Sequence, residues 1–160
     1  MINEKSISII TCSAQETFVL AQNIGEKLEE GDILALSGEL GSGKTCFTGG
    51  LARGLGVSES YQITSPTFTL INEYPAKYKL YHFDVYRLND SSDMEDLGYE
   101  EYFAGYGVVV IEWAEKISEI IPAKAFFINF EYIDDNKRKI TIKGPQSRLK
   151  EFCVDIKNGG

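Results

Sequence analysis

Gly38, Glu39, Leu40, Gly41, Ser42, Gly43, Lys44 and Thr45 form the stretch of this chain richest in chemistry. Two glycines with four residues between them, followed at once by Lys and a hydroxyl residue, have the pattern of a phosphate cradle. Small side chains let backbone N–H groups converge on phosphate oxygens, and a helix beginning there adds the positive end of its dipole. Lys44 is placed to meet β- and γ-phosphate charge, and the Thr45 hydroxyl to ligate Mg2+. These eight residues and Cys46, together with Asp84 and Trp113, are the expected nucleotide-binding set.

A Mg2+–nucleotide site also needs an acid. Two carboxylates end apolar runs: Glu112 in VVVIEW and Asp84 in YHFDVYR. Strand ends are where open α/β sheets hold ligands. Lys44, Asp84 and Glu112 are the catalytic candidates, with Thr45 and Glu112 the metal ligands. Trp113 could stack near the nucleotide or anchor the core. His82, the only histidine, reads as a packing or hydrogen-bonding residue before a general base. Arg87 could approach phosphate or pair with an acid. A guanine-specifying NKxD is absent, since Asn136–Lys137–Arg138–Lys139 ends in Lys, so ATP is favoured over GTP.

The elements that must position these groups alternate. Ser6–Ile10 reads as a strand, and Ala14–Leu28 as a helix capped by Ser13. Ile33–Ser37 delivers the chain to Gly38, and Lys44–Leu55 resumes helical spacing before Gly56 stops it. Thr67–Tyr74 and Lys79–Tyr86 read as a strand pair about Pro75, and Ser91–Phe103 as short helical pieces. Val108–Ile111 is a buried strand, and Phe126–Tyr132 pairs with Lys139–Lys143 around Asp134–Asp135–Asn136. Strands interleaved with helices predict an α/β fold.

Composition narrows the function. A length of 160 residues suits one domain, and 43% hydrophobic residues suffice for a core. No run is long enough to span a bilayer, and the N-terminus lacks a secretion signal, so a cytoplasmic location is expected. Cys12, Cys46 and Cys153 lack metal-ligand spacing and read as reduced thiols. A net charge of −8 opposes a broad nucleic-acid footprint. Lys137–Arg138–Lys139 is the one dense basic cluster and reads as a solvated strand or turn.

Taken in order, GELGSGKT, SPTFTL (Ser65–Leu70), YHFDVYRL (Tyr81–Leu88), LGYEEYF (Leu97–Phe103) and VVVIEW resemble the TsaE family, the small P-loop ATPases of bacterial tRNA threonylcarbamoyladenosine biosynthesis. The phosphate loop alone is shared by many NTPases, whereas SPTF, then HFDxYR, then IEW is specific. The resemblance implies a single three-layer P-loop NTPase domain over residues 1–160, with a mixed, mainly parallel central sheet. It implies ATP and Mg2+ as cofactors, with Thr45 and Glu112 near the metal, Asp84 near the reacting phosphate or its water, and Trp113 close to the nucleotide. Ser65–Thr69 looks like a switch segment, and Ser13–Thr17 like the approach to the base. A TsaB–TsaD-like complex is the implied partner, with tRNA reached through it and no membrane involved. Glu39 stands where the family commonly has Asp, Cys46 replaces a small hydroxyl residue, and the basic C-terminal strand matches least at Arg138. A small-molecule kinase and a non-hydrolysing nucleotide-binding regulator are the alternatives.

Overall fold

In the run that leads to the glycine-rich loop, Leu34 and Leu36 are buried on one side and Ile33 and Ala35 on the other. A strand apolar on both faces needs a layer on each side. The computed structural model describes residues 4–39, 41–66 and 68–159, with side chains described for residues 5–39, 41–66 and 68–152. Leu40 and Thr67, both within the motifs above, lie outside the described residues.

The elements in order are β1 (Glu4–Thr11), α1 (Ala14–Gly25), β2 (Ile33–Gly38), α2 (Lys44–Leu55), β3 (Ile71–Tyr74), β4 (Leu80–Asp84), a 3-10 segment (Ser91–Leu97), α3 (Tyr99–Phe103), β5 (Val108–Glu112), a second 3-10 segment (Ala114–Ile120), β6 (Phe126–Tyr132), β7 (Arg138–Pro145) and α4 (Gln146–Gly159). They build one seven-stranded sheet in the order β1-β7-β6-β2-β5-β4-β3. The three central pairings, β6 with β2, β2 with β5 and β5 with β4, are parallel; the outer three are antiparallel.

One face is covered by α1, α2 and α4, packed on Leu34, Leu36, Val108, Val110, Ile128 and Ile140. The opposite face carries α3 and both 3-10 segments on Ile33, Ala35, Phe83, Val109 and Ile111. This gives the expected three layers. Buried Thr17, Leu20, Ala21, Ile24 and Gly25 make the helical stripe of α1, and Ser13 caps it by accepting the Glu16 N–H at 3.0 Å. The helix ends at Gly25, short of the expected Leu28, and Gly56 stops α2 in a left-handed conformation as expected. The paired strands about Pro75 are antiparallel but shorter than the aromatic and β-branched residues suggested. Two elements have no counterpart in the sequence reading: the second 3-10 segment and α4.

Candidate functional site

β2 ends at Gly38 with φ 143°, where an added Cβ would lie 2.7 Å from the Phe130 carbonyl oxygen. Only glycine fits, and the chain turns there into the glycine-rich loop. α2 then starts at Lys44 behind Gly43, with no capping side chain on its first turn. Those N–H groups remain available to an anion at the positive end of the helix. Nearby, the buried Ser42 Oγ has no hydrogen-bond partner among the described residues, which suits a donor to an anionic oxygen.

Lys44 is held from three sides. Its Nζ donates to the Gly38 carbonyl and, at 3.1 Å, to the Glu39 carbonyl, and lies 3.6 Å from the Trp113 ring centroid. Burial lowers its pKa, against the opposing pull of Glu115, Glu112 and Asp84. Trp113 reaches this position through a left-handed backbone, φ 64°, immediately after β5, an unusual conformation for a bulky residue. Tyr86 packs on its indole with ring centroids 4.8 Å apart.

Asp84 and Glu112 are cross-strand partners at the carboxyl ends of β4 and β5, and both are buried. Glu112 gathers three elements. Its Oε1 accepts from Thr45 Oγ1 at 3.0 Å, and its Oε2 meets the ring of His82 and, at 3.4 Å, Ser65 Oγ. Thr45 Oγ1 and Ser65 Oγ are 2.7 Å apart. The Asp84 carboxyl accepts the Tyr86 N–H at 2.9 Å. Burial raises the Asp84 pKa; that hydrogen bond opposes the shift, neighbouring Glu112 adds to it, and His82 and Lys44 oppose it more weakly.

These groups surround an open cavity of about 420 Å3. Residues 41–46, Asp84, Glu112 and Trp113 line it, so most of the expected site converges. Gly38 and Glu39 act from behind, through their carbonyls on Lys44. Arg87 turns away to stack on Phe68, and His82 is fully buried and out of reach of a ligand in the cavity. Ser65 and Tyr86 complete the lining. Ser65 belongs to the segment that the family resemblance marks as a switch, whereas Tyr86 is not separable in the sequence from an ordinary aromatic residue without the end of β4 that brings it in. Glu115 was also missed; it accepts the Gly38 N–H at 3.0 Å. Arg138 reaches the loop from β7, donating to the Gly41 carbonyl at 3.3 Å.

The donor set suits a hard divalent cation. Among the described residues no three His, Cys, Asp or Glu side chains form a self-contained metal cage. Mg2+ does not need one, since it takes one or two protein oxygens and completes its shell with phosphate and water. Thr45 Oγ1 and the Glu112 carboxylate are hard oxygens at the edge of the cavity, and they fit that demand.

A glycine-rich strand–loop–helix at the centre of a layered sheet, facing two carboxylates at neighbouring strand ends, places the chain among the α/β proteins that hold ligands at the carboxyl edge of parallel strands. A family model described as "Threonylcarbamoyl adenosine biosynthesis protein TsaE" matches residues 11–140. Similar proteins include two named "tRNA threonylcarbamoyladenosine biosynthesis protein TsaE". The one from Treponema pallidum (strain Nichols) is 44% identical over 133 residues, spanning 83% of this chain and 97% of its own. The one from Bacillus subtilis (strain 168) is 40% identical over 153 residues, spanning 95% and 94%. The crystal structure of YdiB from Bacillus subtilis superposes with a TM-score of 0.80 at 34% identity, covering 99% of both chains. The chain belongs to the TsaE family.

Proposed function

We propose that this protein is a Mg2+-dependent ATPase that serves tRNA threonylcarbamoyladenosine modification, working with a TsaB–TsaD-like complex. The observation that carries the reading is the convergence of Lys44, Thr45, Asp84 and Glu112 on one cavity at the mouth of the phosphate loop. The loop's amides and Lys44 would bind the phosphates. Thr45 and Glu112 would hold the metal, whose chemical contribution is to neutralise and polarise phosphate oxygens. Asp84, with a raised pKa beside that position, is suited to orient a water and take up its proton. Ser65, at the start of the expected Ser65–Thr69 switch segment, touches both Thr45 and Glu112, so it is placed to sense whatever occupies the site.

The names of the family and its relatives support the pathway, and the charge of −8 supports leaving tRNA contacts to partners. No helix among the described residues is long and apolar enough to cross a membrane. A cytoplasmic location follows as part of the proposal.

The test is ATP binding by calorimetry and ATP turnover, with and without the TsaB–TsaD-like partners, for wild type, Lys44→Ala and Glu112→Gln. Lys44→Ala should weaken ATP binding about 10–100-fold, the scale of a lost charge-assisted contact. Glu112→Gln should lower turnover at limiting Mg2+ more than it lowers ATP affinity, and partners should accelerate the wild type. Unchanged ATP affinity in the first variant and unchanged turnover in the second would overturn the assignment. One observation supports a second reading, a metabolite kinase: a neighbouring open hollow of about 340 Å3 shares Thr45 and Cys46 with the cavity and is also lined by Phe18 and Arg53. A phosphorylated small molecule among the products would favour it.

A further inference from the structure

We propose that His82 is a positioning residue for the metal site: from inside the sheet it holds one oxygen of the Glu112 carboxylate so that the other stays directed at Thr45. The inference rests on the Mg2+ site proposed above and adds a role for a residue that never meets substrate.

The geometry follows from strand alternation. His82 and Asp84 are two residues apart on β4 and share a face, while Phe83 between them packs in the opposite layer. Asp84 is in register with Glu112, and His82 with Val110, so His82 lies one pleat deeper than Glu112 on the neighbouring strand. Its ring reaches diagonally toward the site and contacts Glu112 Oε2 through Nε2. Oε1 is left to Thr45 at 3.0 Å.

The other holds on this carboxylate are looser. Ser65 belongs to a loop and stands 3.4 Å away, and Thr45 is the hydroxyl that the metal itself would claim. Among the described residues, His82 is the one partner of Glu112 carried on a sheet strand, and it is fully buried. The second nitrogen, Nδ1, is buried with no hydrogen-bond partner among the described residues. The tautomer with hydrogen on Nε2 donates to Glu112 and leaves only a lone pair unmatched, the less costly orphan. A core position that carries an unsatisfied ring nitrogen would pack better as an apolar ring. Its polar contact with Glu112 is the compensating feature, as in metal sites where an outer partner orients a first ligand.

Packing and positioning therefore predict opposite orders of tolerance. His82→Phe keeps the ring and removes the donor. His82→Gln gives up the ring, and its amide nitrogen reaches about as far as Nε2. Mn2+ binding in the presence of saturating ADP, followed by electron paramagnetic resonance, is the readout, with thermal unfolding of the ligand-free proteins alongside. His82→Phe should weaken Mn2+ about 10-fold, the scale of lost outer-shell partners. It should retain a ligand-free melting temperature near wild type, and His82→Gln should recover most of the affinity. In turnover assays the half-saturating Mg2+ concentration should rise for His82→Phe, with activity returning at high Mg2+. Should His82→Phe fail to fold, His82→Gln is compared with His82→Asn, whose amide is too short to reach Glu112. Wild-type Mn2+ affinity in His82→Phe, or equal affinity in the Gln and Asn variants, overturns the inference provided Glu112→Gln weakens Mn2+ in the same assay. If Glu112→Gln leaves Mn2+ affinity unchanged, the proposed metal site itself fails and this role falls with it.

Discussion

Asp84 is kept in a place that costs the fold. Its carboxyl is 4% exposed, and burial raises its pKa more than the Tyr86 N–H lowers it. A carboxyl with a raised folded-state pKa binds its proton more tightly in the folded protein than in the unfolded chain. It favours folding at low pH, and that advantage is lost as pH rises through the folded pKa. Asp84→Asn keeps an oxygen for Tyr86 and removes the charge. The ligand-free variant should melt a few degrees higher at about pH 7, with the gain shrinking as pH falls toward the ordinary carboxylate range, while ATP turnover drops sharply. Thermal scans at both pH values check the stability half. A lower melting temperature at neutral pH would mean that Asp84 is held by favourable contacts and not by function.

At the scale of elements, the site depends on how α2 is seated. The helix carries Lys44 and Thr45 at its start and packs closely on α1 through glycines. A Cβ at Gly54 would lie 2.1 Å from the Gln22 carbonyl oxygen, and one at Gly50 2.4 Å from the Phe18 carbonyl oxygen; backbone atoms cannot move aside as side chains do. Gly49 differs, with Phe18 Cε2 at 3.6 Å as its nearest neighbour. Gly54→Ala should therefore destabilise by about 2–3 kcal/mol, the cost of overpacking. Gly49→Ala should be neutral or gain up to about 1 kcal/mol from helix propensity. Urea unfolding of the pair is the check, and equal midpoints would refute the close approach of the two helices.

Across the whole molecule, α4 closes one layer of the sheet far along the chain from the site. Phe152 packs on Phe126, and Arg148 forms a two-pronged pair with Asp32 at 2.8 Å for each bond. The Asp32 hydrogen bond is the main reason the Arg148 pKa is raised, so the pair persists throughout the working pH range. Asp32 directly precedes β2, so this contact ties the C-terminal helix to the strand that leads into the glycine-rich loop. Arg148→Met should lower stability by about 2 kcal/mol, since it leaves a mostly buried carboxylate without its partner, and should leave ATP affinity within a factor of two. Denaturant unfolding and calorimetry separate the two effects. A matching loss of affinity would show that α4 also shapes the loop.

Local chemistry alone determined a good deal here. Glycines spaced before Lys44 and Thr45, a cap at Ser13, a stop at Gly56 and an apolar run ending in Glu112 each act within a few residues, so their types and order were enough to read. The order of SPTF, HFDxYR and IEW carried the family as well. α4 escaped because its apolar stripe is short, and what holds it comes from distant parts of the sequence: Phe126 against Phe152, and Asp32 against Arg148, 116 positions away. The partners of Glu112 escaped for the same reason. That His82 meets Glu112 depends on β4 lying beside β5 in one register, and that Ser65 joins them depends on where an irregular loop comes to rest. Strand neighbours and register are set by the packing of two apolar layers on the sheet, a property of the assembled chain that no short stretch of residues contains.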